Sequence, residues 1–272
     1  MKKISSEILV VGGGAAGLSA AAEAASAGAK VLIVESDLRL GGQLIKQTHK
    51  FFGSKDEFAG TRGFKIADIL LNEIDAFKDS VSVLQNTTVT GFYIEDDTFT
   101  AMRGEEEVFQ IKTQKTIVAT GAQERLIPFP NNDLPGVYGA GAVQTLMNVY
   151  GVLPGKRVLM VGAGNIGLIV SYQLMQAGVE VAAVVEAAPR VGGYWVHAAK
   201  IRRMGVPILL RHSIKKALGE DIITGAVISE LNEKFEHVGP EREIACDLIC
   251  IAVGLSPTTE LLSQAGCKMM YV

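Results

Sequence analysis

One stretch limits what this chain can fold into more than any other, and the sequence writes it twice. Residues 8–35 read ILVVGGGAAGLSAAAEAASAGAKVLIVE, an apolar run, glycines at 12, 14 and 17, an alanine-rich segment, and a second apolar run closed by Glu35. Four apolar residues, Ile8 to Val11, leading into a GxGxxG turn predict a buried strand that opens into a helix. Gly12 allows the tight turn, Gly14 lets a pyrophosphate approach the backbone, and Gly17 lets the helix lie close on the strand. The helix N-terminus offers unpaired N–H groups and the positive end of its dipole to phosphate. Glu35 ends the next strand, Val31 to Val34, where a carboxylate accepts the ribose hydroxyls of an adenine nucleotide.

The second copy starts at residue 158. Val158 to Val161 lead into Gly162, Gly164 and Gly167, and Val181 to Val185 lead into Glu186. Both acids carry the same tail, E-x-x-x-R-x-G-G, with Arg39, Gly41 and Gly42 after Glu35 and Arg190, Gly192 and Gly193 after Glu186. Two fingerprints with a shared tail indicate an internal duplication, and the chain is expected to hold two dinucleotides.

A length of 272 residues, with 48% apolar and 20% charged residues, suits two compact domains with their own cores. The net charge of −3 and the lack of a Lys/Arg cluster give no footprint for nucleic acid. No run approaches the length of uncharged apolar sequence that spans a membrane. Cleaving MKKISSEILVVGGG as a signal peptide would remove the first strand, so a cytoplasmic protein is expected. Cys246 and Cys250 fall in the apolar segment ACDLICIAVG at a spacing that fits neither a metal pair nor a redox CxxC; with Cys267 they are the three cysteines. Buried thiols are the expectation, and no metal site is expected.

Between the fingerprints, QLIKQTHKFFGSKDEFAGTRG reads as an ordered loop over the nucleotide site, and Phe64 to Phe77 as a helix. Val81–Leu84, Thr88–Ile94, Phe99–Arg103 and Val108–Ile111 read as a β-meander inserted between parallel strands, and Lys115–Ala119 as a separate strand closed by Thr120 and Gly121. Ligands of open α/β sheets sit at such strand ends. Pro128 to Pro135 reads as a linker and Ala140 to Tyr150 as a helix. In the second copy, helices are expected at Asn165–Ala177 and Tyr194–Met204, a strand at Val206–Leu210, a hairpin-like region at Ile214–Ile244, and a last strand, Leu248–Val253, turned by Gly254. The fold class is therefore α/β, with two Rossmann-like, three-layer dinucleotide-binding domains (parallel sheet with β-meander), the second inserted in the first.

The order GxGxxG, E-x-x-x-R-x-G-G-Q, A-T-G, linker helix, second GxGxxG with its acid, and closing A-V-G resembles the flavoproteins of the pyridine nucleotide-disulfide oxidoreductase superfamily over essentially the whole chain. GGQLIKQTHKFFGS and ATGAQERLIPFPNNDLPGVYGAGAVQTLMN are similar to the flavin subunits of amine- and imino-acid-oxidising enzymes of the sarcosine oxidase alpha, dye-linked proline dehydrogenase alpha, opine oxidase and hydrogen cyanide synthase kind. The resemblance implies FAD in residues 1–130, NAD(H) or NADP(H) in residues 131–255, and the start of a return segment to the FAD domain in residues 256–272. Carried over, Gly12, Gly14 and Gly17 meet the FAD pyrophosphate and Glu35 the adenosine ribose, with Ala16 and Arg39 also in the cofactor-binding set; for Arg39, as for Arg190, a local salt bridge is the alternative to a phosphate contact. Gly42 and Gln43 lie beside the flavin, Val89 presents backbone to adenine, and Thr120 and Gly121 line the site. Gly162, Gly164, Asn165, Gly167, Glu186, Arg190 and Gly254 form the nicotinamide-nucleotide set. Implied partners are a small-molecule substrate and a second flavoprotein subunit or electron acceptor, with hydride passing between FAD and NAD(H) or an amino- or imino-acid-type substrate. An NADH-dependent reductase feeding an external acceptor, or a non-catalytic nucleotide-binding fragment, are the alternatives.

Two departures from the family pattern matter. Residues 43–60 and 162–244 hold no cysteine, which disfavours thiol-disulfide chemistry. No Gly-Asp dipeptide occurs and eighteen residues follow Gly254, so part of the return segment is expected to be missing, with the apolar Met269–Val272 as its opening strand. At the second acid, Glu186 accepts bonds from a 2'-hydroxyl and repels a 2'-phosphate, so NAD(H) is expected over NADP(H), although Arg190 offsets part of that repulsion. His49 is the catalytic candidate, a proton carrier near flavin N5 or a substrate amine, with a plain loop histidine as the alternative.

Overall fold

Strands form where β-branched and leucine runs are buried on both faces, and in both halves those runs lie side by side in parallel. The computed structural model describes residues 1–271 and divides into two units, Met1–Ala122 with the segment from Pro257 onward, and Gln123–Ser256.

The first unit contains β1 (Lys2–Val11), α1 (Ala15–Ser26), β2 (Val31–Val34), a short 3-10 helix at Gly42–Lys46, α2 (Gly63–Ala76), β3 (Val81–Leu84), β4 (Thr88–Tyr93), β5 (Thr98–Arg103) and β6 (Glu107–Val118). Its six-stranded sheet has the order β3-β2-β1-β6-β5-β4. Two expectations change here. Val81–Leu84 is not part of the meander, because it pairs in parallel with β2 from Val31↔Val81 to Val34↔Leu84. Val108–Ile111 and Lys115–Ala119 are not separate strands, since β6 is continuous and pairs in parallel with β1 from Lys2↔Phe109 to Val11↔Val118. The polar residues Lys112 to Thr116 hide this in the sequence. They keep the strand because β1 supplies a ladder along its whole length, while β5 pairs antiparallel with the first half.

Alternation along β1 and β2 feeds two cores. Val10 and Ile33 pack with Leu18 of α1 and Leu70 of α2, whereas Leu9, Val11, Leu32 and Val34 pack with Phe99, Phe109 and Ile111 of the meander. The parallel strands β2 and β1 are thus packed between the helices on one face and the meander of the same sheet on the other. The chain then leaves through β7 (Ala122–Glu124).

The second unit has β8 (Val137–Gly139), α3 (Ala140–Asn148), β9 (Arg157–Val161), α4 (Asn165–Gln176), β10 (Glu180–Glu186), α5 (Trp195–Arg203), β11 (Ile208–Leu210), β12 (His212–Gly219), β13 (Ile223–Leu231), β14 (His237–Ala245) and β15 (Leu248–Ile251). An all-parallel sheet has the order β11-β10-β9-β15-β8, and β12, β13 and β14 form a separate antiparallel sheet. The same period of two divides the core: Val158, Met160, Val184, Leu248 and Cys250 meet the helices, and Leu159, Val161, Val185, Ile249 and Ile251 meet the antiparallel sheet. The hairpin-like region is therefore three-stranded and forms a layer of its own. The Pro128–Pro135 segment is packed structure of this unit, with Phe129 buried in the core, the Ala217 N–H donating to the Pro130 carbonyl and the Ile223 N–H to the Pro135 carbonyl.

Strand β16 (Leu255–Pro257), hydrogen-bonded to β7, returns the chain, and α6 (Glu260–Gln264) follows. Met269 to Tyr271 form no strand and are exposed, contrary to the expectation for Met269–Val272; Val272 lies outside the described residues.

Candidate functional site

The two fingerprint turns have the same geometry. Gly12 and Gly162 have φ of +102° and +108°, and a Cβ at either would collide with a strand-end carbonyl, that of Ala119 or Ala252. A Cβ at Gly17 or Gly167 would collide with the carbonyl oxygen of Gly12 or Gly162. The middle glycines differ. A Cβ at Gly164 would meet nothing within 4 Å, and one at Gly14 only the Gly42 Cα at 3.8 Å. Both have negative φ, so the fold itself does not demand glycine there. Each is the N-cap of its helix, with no side-chain cap and no acid in the first turn. An uncapped N-terminus facing open space fits an incoming phosphate.

The acids repeat as closely. Glu35, only 6% exposed, accepts the Gly13 N–H at 2.6 Å on one oxygen and the Asp37 N–H at 2.8 Å on the other. Glu186 accepts the Ala163 N–H at 2.7 Å and the Ala188 N–H at 2.9 Å in the same way. Backbone bonds fix each carboxylate at a strand end, with lone pairs left for further donors. The turn after the third strand also repeats. Asn86 and Arg211 have φ of 51° and 53°, and their N–H groups donate to the carbonyls of Asp37 and Ala188, two residues past each acid.

In the second unit, Gly162, Gly164, Asn165, Glu186 and Gly254 come together around a cavity of about 520 Å³. Glu124, His212 and Ser213 also line it. Sequence reading missed these three: Glu124 lies in the ATGAQERL stretch but was given no role there, and the only signal for His212 and Ser213 was their place after the third strand. Glu124 accepts the Gly141 N–H at 2.6 Å, at the start of α3. The Asn165 side chain accepts the Tyr194 N–H at 2.7 Å and so ties the second GG turn to α4. Gly167 is buried beneath the turn, and Arg190 is exposed outside the cavity lining.

In the first unit, Ala16 is exposed in the first turn of α1, Gly42 abuts Gly14, and Gln43 is exposed in the 3-10 helix. Arg39 is exposed and lines a separate cavity of about 310 Å³ with Phe64, Asp68 and Gln85. Val89 sits in β4, half-buried, opposite Ala101. Thr120 donates through its hydroxyl to the Thr258 carbonyl at 2.8 Å, and the Thr258 N–H donates to the Gly121 carbonyl at 3.0 Å. His49 is half-buried and stacks on Phe51, with ring centroids 5.0 Å apart. Burial pushes the Cys246 thiol up to about 11 and the fully buried Cys250 thiol further still, whereas Cys267 is exposed. No group of side chains that could hold a metal ion occurs among the described residues, and no helix there is long and apolar enough to cross a membrane.

Parallel sheets carrying a glycine turn, an open helix N-terminus and a strand-end acid, once in each unit, define a two-domain dinucleotide-binding oxidoreductase fold of the Rossmann type. Residues 6–271 match the pyridine nucleotide-disulphide oxidoreductase family, and the chain belongs to it. That family comprises FAD- and NAD(P)-binding flavoprotein oxidoreductases. Among curated relatives, it is 29% identical to the alpha subunit of sarcosine oxidase from Corynebacterium sp. (strain P-1), covering 98% of this chain and 28% of that protein. It is 28% identical to one of the subunits of opine oxidase from Agrobacterium tumefaciens (strain Ach5), covering 97% and 55%. The chain thus spans about a quarter to a little over half the length of these relatives. Of solved structures, T. acidophilum thioredoxin reductase superposes with a TM-score of 0.77 at 21% identity, covering 98% of this chain and 82% of that one. L-proline dehydrogenase from P. horikoshii gives 0.71 at 20% identity, covering 100% and 46%. These likenesses concern the fold.

Proposed function

We propose that the first unit binds FAD and the second NAD(H), as the flavin-carrying part of an oxidoreductase that acts on an amino- or imino-acid-type substrate and passes electrons to a further protein chain or another acceptor. The observation that carries the reading is the pair of middle glycines, Gly14 and Gly164, which sit at uncapped helix starts and have no steric reason of their own to lack a side chain. When bound, FAD and NAD(H) supply the hydride chemistry. The chain's own part is to hold and orient them. N–H groups at the starts of α1 and α4 take the pyrophosphates, Glu35 and Glu186 accept ribose hydroxyls, and Thr120 and Gly121 form the strand-end corner of the first site.

NAD(H) rather than NADP(H) follows from Glu186. Its two backbone N–H bonds fix the carboxylate in place, where a 2'-phosphate would meet a like charge. The substrate class and the partner chain rest on the curated relatives, two of which are named as oxidase subunits. With both core cysteines held as thiols by burial, the proposed electron path uses no disulfide.

The test is an absorbance spectrum after incubation with FAD and gel filtration, followed by anaerobic NADH. A retained flavin band bleached by NADH, or by an amino or imino acid, is the expected result. A colourless protein whose melting temperature moves with neither FAD nor NADH would overturn the reading.

A further inference from the structure

The duplication provides an internal control for the second site. In the first unit the residue after the positive-φ Asn86 is Thr87, buried at 1% exposure, whose hydroxyl donates to the carbonyl two residues back, Gln85, at 2.8 Å. In the second unit the residue after Arg211 is His212, and its Nδ1 lies 2.7 Å from the carbonyl two residues back, Leu210. The local bond is the same and the side chain is larger. Thr87 is sealed in, whereas His212 is half-buried and lines the cavity that also holds Glu186, Gly162 and Gly164. Its place in that cavity is defined, because the Arg211 N–H donates to the Ala188 carbonyl and the Ala188 N–H donates to Glu186. His212 therefore lines the same cavity as the acid, on a turn whose backbone is tied through Ala188 to Glu186, and we take it to face the nucleoside end.

The chemistry of the ring narrows what it meets. A carbonyl only accepts, so Nδ1 carries the proton, and the neutral imidazole then presents Nε2 as an acceptor. An adenosine has few donors to offer. Its ribose hydroxyls go to Glu186, and on the base the 6-amino group is the donor, while the ring nitrogens accept.

We propose that His212 reads the base of the dinucleotide in the second unit, its Nε2 accepting from the adenine 6-amino group and so selecting adenine over bases with a carbonyl at that position. This rests on the assignment of NAD(H) to the second unit and adds the residue that sets base specificity there. Hypoxanthine places an acceptor where adenine has its amine, so the two lone pairs would face each other.

The experiment compares NADH with its hypoxanthine analogue by calorimetric titration of the full chain at pH 8, in the wild type and in His212→Thr. Threonine is accepted at the equivalent turn of the first unit and keeps the bond to the carbonyl two residues back, so the variant is expected to fold and to melt within a few degrees of the wild type. The wild type should favour NADH about tenfold, and H212T should bind NADH roughly five- to tenfold more weakly with the preference reduced to about twofold or less. A preference that survives in H212T overturns the proposal and leaves the NAD(H) site standing, as does an equal loss of affinity for both nucleotides, which marks a structural role. If the wild type binds neither nucleotide, the site assignment falls and the proposal with it.

Discussion

Neighbouring glycines of one fingerprint answer to different forces, and single substitutions separate them. At Gly17 an added methyl would enter the Gly12 carbonyl oxygen, and at Gly12 it would collide with Ala119 in a backbone conformation that side chains avoid. Gly12→Ala or Gly17→Ala should cost several kcal/mol, on the scale of overpacking and left-handed strain together, and lower the melting temperature markedly. Gly14→Ala and Gly164→Ala should change stability by about 1 kcal/mol or less, because the space is open, yet abolish flavin retention and NADH binding respectively. Loss of fold in the middle-glycine variants would contradict this division. At Glu186, Gln substitution removes the like charge that opposes a 2'-phosphate and leaves one oxygen to serve the Ala163 and Ala188 N–H groups. Titration of E186Q should show NADH affinity falling and the margin over NADPH narrowing about tenfold. These glycines and acids were legible in the sequence because strand, turn, helix and strand occur within one short stretch. Glu124 and His212 were not, because they reach the cavity from segments far apart in the chain, and neither has a local pattern that says where it goes.

Elements are held to one another by apolar layers and by a few buried polar contacts. In the second unit the side-chain amides of Gln144 in α3 and Gln173 in α4 meet at 2.9 Å, and both residues are buried. Gln173→Leu deprives the Gln144 amide of that acceptor and should destabilise the chain by about 1–3 kcal/mol, read as a shift in the denaturant midpoint. Changing both to leucine should cost less than the two single changes added together, since neither amide is then left facing a lost partner. The strands of the parallel sheets were readable as apolar runs, since burial on both faces removes the polar alternation. Strand β6 was read as two strands, because the polar Lys112, Thr113 and Gln114 interrupt its apolar pattern; their strand state is set by β1 alongside, a partner about a hundred residues earlier. Likewise the sequence of Val81–Leu84 favours a strand and is silent on its partner, which determines whether it joins the meander or the parallel sheet.

At the scale of the whole molecule, the cysteines report on folding. Cys246 and Cys250 are buried at 4% and 0% exposure, and Cys267 is exposed. A thiol reagent at pH 8 should label one cysteine quickly in the native chain and three in guanidinium, because burial keeps the two core thiols protonated and covered. Three fast thiols in the native state would contradict the packing of β15. The repeated fingerprint announced two units, but the packing of Pro128 to Pro135 was hidden: it has the composition of a linker, and Phe129 buries it in a core of the second unit. That unit is contiguous from Gln123 to Ser256, and β7 and β16, which carry the chain out and back, are hydrogen-bonded neighbours. With both ends emerging side by side, the whole unit enters and leaves the chain through one two-stranded stem, so a cut in β7 and another in β16 would release it as a single piece.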